Sequence, residues 1–354
     1  MAVLRSDIII PEVFTPYVVE QTTAKDAFLA SGVVTPMAEL NATEGGDFVN
    51  VPSFSANLLG DFERLTDSSS LTPSKIGTGK QIGVILHRGK AFESRDLAAL
   101  AAGADPMAAI AQKVGAFVAN QRQKDLLACL DGVFGEIGTD NSTTALSALT
   151  MDNDGTSASI MSPRHVARAK ALLGDAGDKL TAVCVHSAVY YDLVERKLID
   201  YVLDTDTATG TSGAVQAGGT IAGAYGGDGT VPTYCGLRVI VSDDAPKGTV
   251  SGGSGEIYGS YFFTQGAIGS GEQAGLTTET DRDILAKSDA MAIDLHYCYH
   301  PIGTSFKAPD TENGVGARGP ANPTRDQLKT STNWSRVFEL KNIGIIRASN
   351  KSSH

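Results

Sequence analysis

The residues with the most suitable spacing for metal chemistry are His296, Cys298 and His300. They alternate along a strand-like run, and alternate residues of a strand face the same side. Imidazole and thiolate are common zinc ligands, but a structural zinc site needs four of them and no fourth is evident here. We therefore expect these side chains to pack in a core, and we keep them only as weak metal candidates.

Other short patterns lack the surroundings that their chemistry needs. Cys184 and His186 share a strand face, but Leu180–Val185 is apolar enough for a core strand, whereas a nucleophile–base pair must be exposed in a cleft. Residues 269–274 fit GxGxxA but precede an extended Thr-rich stretch, so a phosphate would find no helix N-terminus. Asp152–Gly155 lacks the glutamate that closes a calcium loop. The sequence contains no P-loop and no GxSxG elbow, and we expect no catalytic residue and no cofactor.

Composition narrows the possible partners. A net charge of −11 argues against a protein that grips nucleic acid, although it permits one that encloses it. The cysteines are far apart, without a CxxC pair, which predicts reduced thiols in a cytoplasm. No apolar run reaches the ~20 residues of a membrane span, and the start is too interrupted for a signal peptide. We expect a soluble chain with no membrane partner.

Two segments near the start need something outside themselves to pack against. Residues 1–45 begin with a strongly apolar stretch in which Pro11 and Pro16 prevent a continuous helix. Asp47–Val51 and about 81–92 read as two strands of a long hairpin, which is marginally stable alone. The candidates for contacts with other copies of the chain are Ile8, Ile10, Val13, Phe14, Tyr17, Phe54, Leu58, Leu59 and Phe62.

The strongest helix signal lies between residues 106 and 134. Asp105 can cap it and Pro106 suits its first position. Its apolar side chains change face halfway, which predicts a helix that crosses between two packing layers. The first set is Met107, Ile110, Val114, Phe117 and Val118, and the second is Leu126, Leu127, Leu130, Val133 and Phe134.

An α/β domain is predicted over 158–270. A helix begins at Pro163 after the cap Ser162 and ends at Gly174, a buried strand follows over Leu180–His186, and Ser187 caps a second helix before a strand at Leu237–Ser242. Beyond it, strands are predicted at 258–264, 290–299 and 305–307, with a helical or turn segment at 281–287 and one or two closing strands over 334–346.

The order of these parts resembles the major capsid proteins of tailed bacteriophages, with the Hong Kong 97-type fold. DIIIPEVFTPYVVEQT, LHRGKAFESRDLAALAAGADPMAAIAQKVGAF, TETDRD with LHYCYHPIGTSF, and NWSRVFELKNIGII are similar to one branch of that family, over nearly the whole chain. The resemblance implies an α+β fold in which residues 1–45 form an N-terminal arm, 46–92 an extended loop, 93–157 with 271–354 a peripheral domain with a spine helix at about 106–134, and 158–270 an axial domain.

The same resemblance implies a structural function rather than an enzymatic one. Copies would form hexamers and pentamers of an icosahedral head around double-stranded DNA, without sequence-specific binding. A scaffolding protein, a portal and decoration or cement proteins are the implied partners, with assembly in the host bacterial cytoplasm and a final location in the virion. Two alternatives stay open: an unrecognised cytoplasmic α/β enzyme with a cleft around Cys184 or His296, and another phage structural protein, such as a tail protein, without the long helix.

Overall fold

The computed structural model describes residues 28, 31–41, 45–54, 78–96, 106–138, 144–151, 158–203, 230–249, 255–307 and 320–352, and every structural statement refers to these. The chain divides into two compact units, each built from separate stretches. Unit 1 comprises 1–26, 35–133 and 268–343, and unit 2 comprises 27–34, 134–267 and 344–354.

Helices and strands alternate irregularly, which makes the fold mixed α+β. The helices are α1 Pro106–Phe134, α2 Pro163–Leu173, α3 Ser187–Glu195 and α4 Arg325–Lys329. The strands are β1 Val34–Pro36, β2 Phe48–Phe54, β3 Thr78–Val84, β4 Leu86–Arg95, β5 Thr150–Met151, β6 Ser159–Ile160, β7 Leu180–Val185, β8 Asp200–Leu203, β9 Thr230–Tyr234, β10 Leu237–Val241, β11 Lys247–Thr249, β12 Glu256–Thr264, β13 Ile268–Asp283, β14 Ser288–Pro301, β15 Thr304–Phe306, β16 Trp334–Arg336 and β17 Ile345–Lys351. Within the described residues, no helix is both long and apolar enough to cross a membrane.

The main sheet of unit 1 has the order β1-β13-β14-β4 in the described part of the chain. β13 and β14 form a long antiparallel hairpin, and β4 pairs with β14 along its whole length. The first half of α1 packs on this sheet, where Val114 and Val118 meet Met291 and Ile293 in a buried cluster. Ile110 and Phe117 pack against the same cluster, so the predicted stripe is confirmed for these four residues, while the side chain of Met107 lies outside the described part of the chain.

The predicted second strand of the hairpin, about 81–92, is in fact two strands. β3 pairs antiparallel with β2, whereas β4 leaves that ribbon and pairs with β14. Ile85 separates the two strands. Its backbone N–H donates to the carbonyl of Asp47 at 2.9 Å, and its side chain is buried beside Leu40, Val49 and Cys298. The prediction of a single strand was wrong because the apolar pattern continues across Ile85, where the pairing changes from β2 to β14.

Unit 2 is built around a large mixed sheet with the order β5-β17-β12-β7-β10-β9-β8. β7 and β10 pair in parallel on either side of α3, as predicted for a strand–helix–strand unit. α2 begins with a reciprocal capping box between Ser162 and His165, and ends at Gly174. The predicted cap of α3 was one residue late, because His186 Nδ1 accepts from the N–H of Ala188 at 3.1 Å.

Two further predictions are confirmed only in part. The helical or turn segment predicted at 281–287 is a turn, and it is limited to 284–287 because β13 continues to Asp283. All five apolar residues predicted for the second half of α1 are buried, but residues 125–130 are buried on every side, so they do not form a one-sided stripe. A sequence stripe records only apolar positions, and this stretch also buries Asp125.

The last strand lies in unit 2 rather than with the other residues of 271–354. β17 pairs antiparallel with β12 over seven residue pairs, from Ile257–Lys351 to Phe263–Ile345. Its Arg347 is fully buried and donates to the carbonyls of Phe134 and Gly135 at the end of α1. Residues 134–151 and 345–351 thus belong to unit 2.

Candidate functional site

A cavity of about 310 Å³ lies within unit 1, between α1, β4 and β14. Its lining combines an apolar floor with a cationic margin. Phe117, Val118, Ile293 and Leu295 supply the apolar part, and Arg88, Gly89, Lys90, Gln121, Arg122, Asp125, Tyr297 and Arg325 complete the wall. The lining thus holds four cationic side chains and one carboxylate, and Arg122 also lies 3.4 Å from Glu272.

That carboxylate, Asp125, ties together four elements of unit 1. It sits on α1 with 1% of its surface exposed. Its Oδ1 accepts from Arg325 Nε at 2.6 Å, and its Oδ2 accepts from the Tyr297 hydroxyl at 2.7 Å and from Arg88 Nε at 3.3 Å. A buried carboxylate is tolerated when its charge is paired and its lone pairs are occupied, as they are here.

The neighbouring groups are held in fixed positions. Arg88 also donates to the Pro323 carbonyl at 2.7 Å. Arg122 donates to the Tyr299 hydroxyl at 2.9 Å, and its guanidinium lies 5.3 Å from the centre of the Tyr297 ring. Burial, followed by the nearby charge of Asp125, raises the pKa of Tyr297 well above its ordinary value, so this hydroxyl stays a donor.

The polarity of this cavity suits the binding of a complementary surface. The described lining contains no cysteine, serine or histidine. Its Asp125 and Tyr297 are hydrogen-bonded to each other at 2.7 Å. An apolar floor with a cationic margin suits an apolar group that is flanked by acidic ones.

The three weak metal candidates lie side by side on β14 but do not converge. His296 Nδ1 contacts Nδ1 of His87, and His87 Nε2 is 3.4 Å from Asp47. Cys298 is buried in an apolar cluster, which raises its pKa to about 12. His300 Nε2 lies 3.2 Å from Gln81 Oε1, and burial lowers the pKa of this histidine to about 4. Among the described residues, no three His, Cys, Asp or Glu side chains are arranged to hold a metal ion.

The other candidates fall in three places. Cys184 is fully buried in β7, which raises its pKa to about 12, while His186 caps α3. Residues 269–274 lie within β13, and the Thr-rich stretch after them continues the same strand, extended as the sequence predicted.

Asp152–Gly155 lies outside the described residues. So do most of the candidates for contacts between copies, namely Ile8, Ile10, Val13, Phe14, Tyr17, Leu58, Leu59 and Phe62. Phe54 is described through its backbone only, at the end of β2, where it pairs with Thr78.

The Asp125 network and the cavity beside it were not predicted from the sequence. The available signal was the polar run 121–125, which interrupts the apolar positions of α1. Its partners Arg88, Tyr297 and Arg325 come from three distant parts of the chain, so that pairing could not be read from spacing.

Comparison with known proteins assigns the chain to a family. Residues 23–210 match the Gp13-like family, described as Major capsid protein 13-like. The chain is also 35% identical over 347 residues to the major capsid protein of Bacillus phage SPP1, an alignment that covers 97% of this chain and 96% of that protein. The chain belongs to the Gp13-like major capsid proteins. It is the major capsid protein of a tailed phage and a structural component of the virion.

Solved structures agree at the level of fold. The Gp13-like chain is similar to the capsid of Ralstonia phage GP4, with a TM-score of 0.59 at 10% identity, over 93% of this chain and 92% of the other. It is also similar to the capsid asymmetric unit of cyanophage Pam1, with a TM-score of 0.51 at 14% identity, over 87% and 86%. At these identities the likeness shows a shared fold alone.

Proposed function

We propose that this Gp13-like protein assembles into the hexamers and pentamers of an icosahedral head that encloses double-stranded DNA. The observation that carries the proposal is the 35% identity to a major capsid protein over 97% of the chain. The net charge of −11 agrees with it, because an acidic wall holds packed DNA without adhering to it.

The Hong Kong 97-type arrangement is part of this proposal. In it, α1 is the spine helix, residues 1–45 are the arm and 46–92 the extended loop. Residues 158–270 are the axial domain, and 93–157 with 271–354 are the peripheral domain. The 29-residue length of α1 and the β2–β3 ribbon support the assignment.

The contacts between copies are proposed to come from the arm and the extended loop. Residues 6–20 hold three acidic side chains, no basic ones and a high share of large apolar ones. Apolar surface of this kind is stabilised only when something covers it, and neighbouring copies supply the cover. A scaffolding protein, a portal and decoration proteins complete the proposed set of partners, with assembly in the host cytoplasm and no catalytic step.

Electron microscopy of two loop variants tests the proposal. β2 and β3 end in the pair Phe54–Thr78, so Ser55–Gly77 can be replaced by a two-residue Asn-Gly turn without disturbing the ribbon. The subunit, expressed with the scaffolding protein of its phage, should then stay soluble but form no closed particles. The second variant keeps the length of the segment and replaces only Leu58, Leu59 and Phe62 by Ser. It should also reduce assembly, which would show that the apolar side chains and not the length of the loop are required.

Two results would contradict the proposal. Normal shells from the Asn-Gly variant would show that the extended loop does not join subunits. A wild-type chain that stays monomeric with its scaffolding protein present would reject the shell itself.

A further inference from the structure

The turn between β13 and β14 carries the two most exposed large hydrophobic side chains of the described residues. Ile284 is 80% exposed and Leu285 is 97% exposed. Exposed Leu and Ile side chains are ordinary when scattered, but two adjacent ones at the end of a projecting hairpin form a small apolar knob. We call Ile284 and Leu285 the hairpin knob.

Hydrogen bonds and ion pairs define the conformation of the hairpin knob. Asp283 Oδ1 accepts from the N–H groups of Leu285 at 2.8 Å and Ala286 at 3.0 Å. Arg282 bridges Asp289 at 2.9 Å and Asp96 at 2.7 Å, which fastens the hairpin to the end of β4. A preorganised knob loses little conformational entropy on binding, so its apolar surface is available for association.

The hairpin knob and the unit 1 cavity are complementary. The cavity offers about 310 Å³ over an apolar floor, with four cationic side chains against one carboxylate. The residues around the knob, 279–289, hold four acidic side chains and two basic ones. An apolar knob with an acidic surround therefore matches an apolar hole with a cationic margin in both polarity and sign.

A subunit cannot place its own knob in its own cavity. Ile293 and Leu295 of the cavity floor stand on β14, the strand that begins the knob's own hairpin at Ser288. Five residues of paired strand separate Ser288 from Ile293, about 17 Å at 3.4 Å per residue. The pairing of β14 with both β13 and β4 keeps that distance fixed.

We propose that the hairpin knob of one copy inserts into the unit 1 cavity of a second copy, a contact that rests on the proposed function. Such a contact joins one surface of a copy to a different surface of its neighbour. Contacts of this head-to-tail type close into rings or continue as open lattices. The knob–cavity contact is thus one of the joints of the shell, separate from the arm and the extended loop.

Paired cysteine substitutions test the contact directly. One population carries Leu285→Cys and the other Lys90→Cys, a position exposed at the margin of the cavity. Both carry Cys235→Ser, because Cys235 is exposed whereas Cys129, Cys184 and Cys298 are buried. A disulfide forms only when the two Cα atoms approach within about 7 Å. The assembled mixture should give a mixed covalent dimer on non-reducing gels.

The controls separate this contact from other arrangements. Leu285→Cys mixed with Lys179→Cys, which is exposed in unit 2, should give at least tenfold less dimer. A dimer of Leu285→Cys with itself, without the mixed species, would overturn the proposal in favour of knobs that meet one another. Shells without the mixed dimer would also overturn it while leaving the shell function intact.

A second variant measures the effect on assembly. Ile284→Ser with Leu285→Ser removes only exposed apolar surface, so the subunit should fold normally and form at least tenfold fewer particles. The matched control is Leu172→Ser with Tyr191→Ser, two exposed hydrophobics of unit 2. Particle yields equal to wild type from the knob variant would reject the contact. A wild type that forms no particles would instead reject the proposed function.

Discussion

Replacing Asp125 by Asn tests whether the buried carboxylate holds unit 1 together. Asn keeps the size of Asp but removes the charge, and it turns an NH₂ group toward donors. Arg325, Tyr297 and Arg88 would lose a charged acceptor at 2.6, 2.7 and 3.3 Å. Breaking a buried pair costs about 3–5 kcal/mol. Because Arg88 and Arg325 are 28% and 37% exposed, water can rehydrate them, and we expect a loss of about 3 kcal/mol.

The assay is urea denaturation of unassembled subunits, read as the free energy of unfolding. Asp131→Asn is the matched control on the same helix, because its partner Lys329 is 3.9 Å away and half exposed. That change should cost clearly less than Asp125→Asn, because the contact is longer and Lys329 is half exposed. A cycle with Tyr297→Phe isolates the hydroxyl contact, which should contribute about 1 kcal/mol or more of coupling. If Asp125→Asn stayed within 1 kcal/mol of wild type, the network would not be a stabilising element.

Three further predictions follow from individual positions. Gly132→Ala should destabilise the subunit by about 2 kcal/mol or more in the same denaturation assay, because a Cβ there would lie 2.0 Å from the Leu328 carbonyl oxygen, the acceptor of the Trp334 indole N–H. Burial lowers the pKa of His300 from the ordinary 6.5 to about 4. The stability that this neutral histidine contributes to the folded subunit is therefore complete above pH 6.5 and is lost as the pH falls toward 4. Linkage gives a loss of about 2 kcal/mol between pH 7 and pH 5, measured by denaturation across that range. In unassembled subunits one thiol, Cys235, should react with Ellman's reagent, while the three buried thiols react only after unfolding.

Each of these predictions has a direct control. Gly275→Ala should be neutral, because no atom lies within 4 Å of the added Cβ. His300→Gln should flatten the pH dependence, and an unchanged slope would assign the effect to other groups. Rapid reaction of more than one thiol in native subunits would contradict the burial of Cys129, Cys184 and Cys298.

Elements with local boundary signals were predictable from the sequence. α1 occupies Pro106–Phe134 as predicted, and α2 lies between its proline start and Gly174. Proline at a first turn and glycine at an end act within a few residues, so spacing reveals them. β13 was missed because its outer half is largely exposed and polar, which removes the apolar alternation that marks a strand.

The candidate site was not predictable in the same way. The cavity needs α1, β4 and β14 side by side, and the sequence reasoning paired the residues of β4 with β2 instead. The partner of a strand depends on which surfaces meet in the folded chain. Side chains alternate with a period of two whichever strand is the partner, so the pattern does not identify it. The exposure of Ile284 and Leu285 could not be predicted either, since an apolar pair in a sequence normally indicates burial.

The pairing of β17 with β5 and β12 has a consequence for the speed of folding. Thr150 lies opposite Arg347, so a parallel strand pair joins residues from the middle and the far end of the chain. The conformational entropy of so long a loop is lost before the contacts between the two strands can stabilise the chain. Chains dominated by such long-range pairings therefore fold slowly. During that interval unpaired strand edges stay open to other chains. Incompletely folded subunits are therefore open to aggregation, and slower synthesis at lower temperature should raise the yield of correctly folded protein.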